Sequence, residues 1–149
     1  MELDLLLKML KRCKMVPKFR GLSIDENSKG EWQYGHLIED GGEAFIINEV
    51  IEANEQYITI GSWCPVDPKT IGQSTGLKDK NGKEVFVGDI IKCTRGCPHE
   101  VYLEKEYGGT YVGGMPAIYL KGIKEGYAWT GAEEIIGNIY ENPELLEVE

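Results

Sequence analysis

Two cysteines and a histidine fall within one short segment of this chain, Cys93-Thr94-Arg95-Gly96-Cys97-Pro98-His99. Thiol and imidazole donors at C-x3-C spacing are the chemistry of a tetrahedral zinc site, and Cys64 would offer a fourth ligand. The second closely spaced pair that usually closes a structural site is missing. Cys93 also continues the alternation of an apolar strand, where a free cysteine behaves as a small hydrophobe. The expectation is structural cysteines and no cofactor, with Cys93, Cys97 and His99 as the residues a metal would use if one bound.

Other reactive groupings are thinner. The two histidines, His36 and His99, lie in different halves of the chain, and no Gly-x-Ser-x-Gly or Cys-His setting accompanies them. Glu133 and Glu134 are adjacent, a spacing at which side chains in a helical turn do not face each other, so both read as solvated carboxylates. Gly108-Gly109 and Gly113-Gly114 lack the following Lys-Ser/Thr of a phosphate loop. The residues point to a protein that is not an enzyme. Lys78, Lys80 and Lys83 form a basic cluster that could contact nucleic acid, but Asp79 and Glu84 interrupt it and aromatic stacking partners are sparse beside it. Tyrosines 102, 107, 111, 119, 127 and 140, with Trp129, read mostly as core or half-buried strand positions. Some of them, Tyr111 and Trp129 first, would make a protein-binding face, since aromatics supply large contact area.

At 149 residues, 42% hydrophobic and 28% charged, the composition is that of a folded globular chain. Net charge is −9, and residues 1–20 hold six Lys/Arg against two Asp/Glu, leaving the rest at −13. A body this acidic disfavours phosphate-driven binding to nucleic acid. There is no run of eighteen apolar residues, so no membrane span is expected, and the start of the chain has no basic n-region or small-residue cleavage site of a signal peptide. Four cysteines are too few for a disulfide scaffold, which fits reduced thiols in the cytoplasm.

The elements that must carry these groups are mostly strands. Leu3, Leu6, Leu7 and Leu10 recur at helical spacing, so residues 1–14 read as an amphipathic helical extension that Pro17 prevents from running on. From residue 18 short β-like runs follow at 18–22, 32–38, 44–47, 50–51 and 56–60, separated by Asn/Asp/Gly turns. This is a small antiparallel N-terminal lobe over 15–73, ended by the two prolines of Trp63-Cys64-Pro65-Val66-Asp67-Pro68. Runs at 89–94, 101–107, 117–123, 126–129 and 135–140 suit a small bent barrel within 74–149. Asn142 and Pro143 then open a short terminal helix.

The ribbon from 72 to 93 joins the two halves. If Asn81-Gly82 were a two-residue hairpin turn, Lys80 would face Lys83 and Asp79 would face Glu84, and like charges directly opposite are unfavourable. A looser loop across residues 80–83 is expected instead. Val85-Phe86-Val87-Gly88-Asp89-Ile90-Ile91 resembles the opening of SH3-like barrels, with Gly88 supplying a permissive φ and Asp89 able to bond nearby amides.

Four stretches together resemble the YopX family of phage and prophage proteins. They are Lys18-Phe19-Arg20-Gly21, the central run from Ile71 to Glu84, Gly88-Asp89-Ile90-Ile91, and the terminal run Ile136-Gly137-Asn138-Ile139-Tyr140-Glu141-Asn142-Pro143-Glu144-Leu145-Leu146. They frame residues 15–149 and leave 1–14 uncovered; Ser74 and Leu22-Ser23 depart locally from the pattern. The resemblance implies a mainly β fold with an SH3-like β-barrel C-terminal lobe, a phage-derived setting in a bacterial host cell, self-association, and no established activity. It also makes Gly76, Asn81, Gly82, Gly88, Asp89, Gly137 and Asn142 structural motif positions. The expected function is a non-enzymatic accessory protein acting by protein interaction or self-assembly, as a homo-oligomer or with an unidentified protein partner. The alternative is a nucleic-acid-binding regulator using the Lys78–Lys83 loop.

Overall fold

The computed structural model describes residues 18–104, 117–121 and 129–147. The helix expected over 1–14 and the strand expected at 126–129, apart from Trp129, lie outside the described residues. Among the described residues ten strands build two antiparallel sheets. The strands are β1 Phe19–Leu22, β2 Trp32–Asp40, β3 Glu43–Ala53, β4 Ile58–Val66, β5 Gly72–Lys78, β6 Glu84–Phe86, β7 Asp89–Lys92, β8 Pro98–Glu104, β9 Ala117–Leu120 and β10 Glu134–Asn138. One sheet runs β4-β3-β2-β1-β5-β6 and the other β10-β7-β8-β9.

The mainly β character follows from the alternation read in the sequence, but the second half does not close into a barrel. The reason is the ladder of β5: it pairs with β1, Phe19 opposite Gln73 and Arg20 opposite Gly72, so the β5–β6 ribbon joins the first sheet. The chain passes from the first sheet to the second between Phe86 and Asp89. Packing nevertheless assigns the ribbon to both halves. Val85 of β6 is fully buried with Ile91, Cys93, Val101 and Leu120 under the second sheet, with Trp129 and Ile135 against them. A separate cluster of Ala44, Ile46 and Val66, with Phe19, Leu37 and Ile71, forms the core of the first sheet.

Two segments are longer than their sequence signals. The runs at 44–47 and 50–51 are one strand, β3, whose register against β4 shifts three times between Ile47 and Glu52. Strand β4 continues through Pro65 to Val66 because it is the edge of its sheet, where a missing N–H leaves little of the ladder unmade. At the C-terminus Pro143–Leu146 is a 3-10 turn, and Asn142 accepts from the Asn138 amide at 3.3 Å instead of capping that turn.

Candidate functional site

The polar groups of the four sequence motifs converge on one cleft where the two sheets meet. It is open, encloses about 630 Å³, and is lined by Lys18 just before β1 and Arg20 in it, from β2 by Trp32 and Tyr34, and from the ribbon by Lys83, Glu84 and Phe86. Asp89 of β7 and the segment from Ile135 through Asn138 to Glu141 complete it.

Arg20 is its centre. Strand β1 lies inside the sheet between β2 and β5, and its alternation sends Gly21 against Val66 in the core while Arg20 takes the opposite face. The guanidinium carbon stands 4.4 Å from the Trp32 ring centre and 5.1 Å from that of Phe86. Tyr34 meets Phe86 at 5.5 Å and Trp32 meets Tyr140 at 6.0 Å, so the two rings that flank the cation are each backed by a tyrosine. Nη1 of Arg20 contacts Oδ1 of Asp89 at 2.7 Å, both side chains being buried. Nε and Nη2 of Arg20 are buried with no hydrogen-bond acceptor among the described residues. Burial pushes the Asp89 carboxyl up, against the pull of Arg20 and of the Phe86 amide, which donates to Oδ2 at 2.8 Å.

The cleft wall opposite is ordered by Asn138, whose Oδ1 accepts from the amides of Tyr140 and Glu141 at 3.0 and 2.9 Å. Its Nδ2 donates to Oε1 of Glu141, which also receives the Trp32 indole N–H at 2.6 Å. These bonds, first Asn138 and then Trp32, hold the Glu141 carboxyl below its usual range. On the rim Lys18 pairs with Glu84 at 3.1 Å. The space between the rings is therefore filled by the chain's own arginine, paired with Asp89, and Lys18 on the rim is paired with Glu84.

The Lys78–Lys83 loop closes as the like-charge reasoning expects. Asp79 N–H donates to the Lys83 carbonyl at 2.9 Å and Gly82 N–H to that of Asp79 at 3.0 Å, with Gly82 at φ 82°. This three-residue loop sets Asp79 opposite Lys83, and Lys78 opposite Glu84, so unlike charges pair. Asp79 is buried and binds the amides of Asn81, Lys83 and Ile135, which ties the loop to β10. Burial opposes ionisation of Asp79, but the three amides together hold its carboxyl below the usual range. Lys80 pairs with Glu134 at 2.8 Å, a contact that raises its ammonium pKa; Lys78 and Lys83 are exposed. Gly76 lies in β5, Gly88 in the turn between sheets, and Gly137 packs so tightly against Asn142 that a Cβ would lie 2.6 Å from its Oδ1.

Several expectations need revision. Glu133 is fully buried, not solvated, and accepts from the amides of Thr130 and Gly131 and the Thr130 hydroxyl, shaping the turn before β10. Trp129 is half-buried on the second core and donates its indole N–H to the Lys78 carbonyl at 2.9 Å. Tyr107, Tyr111 and Tyr127 lie outside the described residues. Cys64 does not join Cys93, Cys97 and His99; it is buried on β4 with its sulfur 3.1 Å from the Ser23 hydroxyl. Cys93, Cys97 and His99 do come together at the β7–β8 turn.

A third feature had no sequence signal beyond short apolar runs. Past the last β2–β3 pair, His36 with Ile47, strands β3 and β4 continue as a two-stranded arm whose tip turns on Asn54, the Oδ1 of which accepts from Gln56 and Tyr57 amides. Val50 faces Ile60 and Ala53 faces Ile58 across the arm, and Ile51, Tyr57, Ile58 and Trp63 are all about half exposed or more.

An all-β protein of two open sheets pinned by a caged arginine is the class these features define. The match to the YopX protein family spans residues 11–147, and the chain belongs to that family. Among solved structures it is similar to the crystal structure of protein EF1440 from Enterococcus faecalis, with 28% identity and a TM-score of 0.60 over 89% of this chain and 99% of that one. No curated protein matched. Family membership suggests a phage-related protein and assigns it no biochemical activity. No helix among the described residues is long and apolar enough to cross a membrane.

Proposed function

We propose that this chain is a non-enzymatic, phage-related binding module that acts by self-assembly, and that strand β4 is the contact between copies. One observation carries the reading: residues 58–63 form an uncharged, largely apolar sheet edge. Native edge strands are normally guarded by charges, especially Lys, by proline, or by a covering segment. Here the guard is confined to one end, where Pro65 lies and residues 22–24 bond to Pro65, Val66 and Asp67. Residues 58–63 have β3 on one side and, among the described residues, no ladder partner on the other. A two-stranded ribbon is marginal alone, and antiparallel pairing of two β4 edges would place the arms of two copies side by side.

Light scattering after size exclusion tests this directly. The wild-type chain is expected at about twice its 16.7 kDa mass, and an Ile58→Lys/Ile60→Lys variant at the single-chain mass. A wild-type monomer at high micromolar concentration sinks the proposal. Binding to nucleic acid that is salt-dependent and lost on Lys78→Ala, Lys80→Ala and Lys83→Ala together would favour the regulator instead.

A further inference from the structure

We propose that Cys93, Cys97 and His99 form a binding site for a thiophilic divalent metal ion, Zn(II) first, with three protein ligands and a fourth position open to water or to a donor from elsewhere. The turn that joins β7 to β8 explains why the three side chains meet. Cys93 N–H donates to the Cys97 carbonyl and Gly96 N–H to the Cys93 carbonyl, both at 2.9 Å, with Gly96 at φ 87°. Thr94, Arg95 and Gly96 are thus a three-residue hairpin loop, and the two cysteines are the opposed pair that closes it. Opposed residues of an antiparallel pair share a face of the sheet, with Cβ atoms about 5 Å apart. Side-chain alternation along β8 puts His99, two residues on, on that same face.

The two sulfurs and a ring nitrogen of His99 all lie within 4.8 Å of one another. Tetrahedral zinc, at about 2.3 Å to sulfur and about 2.0 Å to nitrogen, needs donor separations of about 3.5–3.8 Å. The remaining closure is a matter of side-chain rotation, which the exposed Cys97 is free to make.

His99 is also oriented for the task. Its Nδ1 lies 2.8 Å from the Lys121 carbonyl oxygen, an atom that can only accept, so Nδ1 carries the proton and Nε2 holds the lone pair. An imidazole whose second nitrogen donates to a backbone carbonyl is the usual outer arrangement of a histidine ligand. Soft sulfur donors with one imidazole select zinc, cobalt or ferrous iron over magnesium or calcium. Cys93 is buried and Cys97 exposed, so the donor set opens towards solvent on one side. Binding releases two thiol protons to solvent and ties β7, β8 and the residue after β9 into one clip.

Titration of the reduced full-length chain with Co(II), followed by displacement with Zn(II) against a chromogenic chelator, tests the site. Thiolate-to-cobalt charge-transfer absorption saturating at one metal per chain is expected, retained in Cys13→Ser and lost in Cys97→Ser. Cys97→Ser and His99→Ala should each weaken Zn(II) binding at least about tenfold, with far-UV circular dichroism unchanged. Absence of sulfur-to-metal bands in the reduced chain overturns the proposal, as do bands that survive both Cys97→Ser and His99→Ala.

Discussion

Arg20 and Asp89 meet at 2.7 Å across the junction of the two sheets, one from an interior strand of the first and one from the opening of the second. The pair is more than a local contact. Asp89 also fixes the Phe86 amide, so the turn between the sheets is held by the same carboxylate that neutralises the caged arginine. The glycine beside it, Gly88, donates to the Val101 carbonyl and accepts from the Ile139 amide, which locks the turn to β8 and to the end of β10.

Breaking this pair from one side should cost more than removing it. Arg20→Met leaves Asp89 buried without its cation, and about 3–5 kcal/mol of stability is expected to be lost. Arg20→Met with Asp89→Leu leaves no uncompensated charge and should recover part of that loss, although the Phe86 amide then lacks its acceptor. Urea unfolding of the two single variants and the double variant checks this; losses that simply add would refute coupling across the junction.

Asp79 gives the fold an acid-sensitive clasp. Its folded-state pKa is depressed, so its stabilisation is complete above the unfolded value of about 3.9 and disappears as pH falls through the lower folded value. Asp79→Ala should cost about 2–3 kcal/mol at neutral pH, since three amides lose a buried charged acceptor. Asp79→Asn should flatten the acid limb. Measured as urea midpoints from pH 6 to pH 2.5, an unchanged acid limb in Asp79→Asn would remove Asp79 from this role.

The charge logic of that loop was legible in the sequence because it depends on neighbours. Placing Lys80 against Lys83 is unfavourable wherever the ribbon sits, and the chain adopts the register that pairs Asp79 with Lys83. Arg20 was not legible in the same way. Within Lys18-Phe19-Arg20-Gly21 it looks like a surface cation, and only the pairing of β1 with both β2 and β5 brings Trp32 and Phe86 over it. Barrel closure failed for a related reason. Turn spacing shows where strands end but not which partner β5 chooses, and that choice is made by long-range contact with β1. Glu133 was misread because a charged pair next to a turn usually faces water, whereas here the turn folds back to bind one carboxylate.

The packing of the start of β5 against the residue that follows β6 depends on Gly72. A Cβ there would lie 2.2 Å from the Val87 carbonyl oxygen, a backbone atom that cannot swing aside. Gly72→Ala should therefore destabilise the chain by about 1–3 kcal/mol or more, as overpacking does, and loosen the ribbon from β1. Faster amide exchange at Ser74 and Val87, whose N–H groups bond to the Lys18 and Gln73 carbonyls, would report the loosening. Wild-type stability in Gly72→Ala would mean that the ribbon can shift without cost.

The arm and the core of the first sheet should respond very differently to the loss of apolar atoms. Ile46 is fully buried, and Ile46→Ala is expected to cost about 2–5 kcal/mol at any protein concentration. Ile60 is 41% exposed on a two-stranded ribbon, so Ile60→Ala should change the stability of the isolated chain by no more than about 0.5 kcal/mol. If two copies pair along β4, the wild-type urea midpoint rises with protein concentration because association favours the folded state, and Ile60→Ala reduces that rise. Midpoints measured across a hundredfold concentration range separate the two effects. A midpoint independent of concentration in the wild type, with a large intrinsic loss in Ile60→Ala, would make the arm a packing element of the single chain.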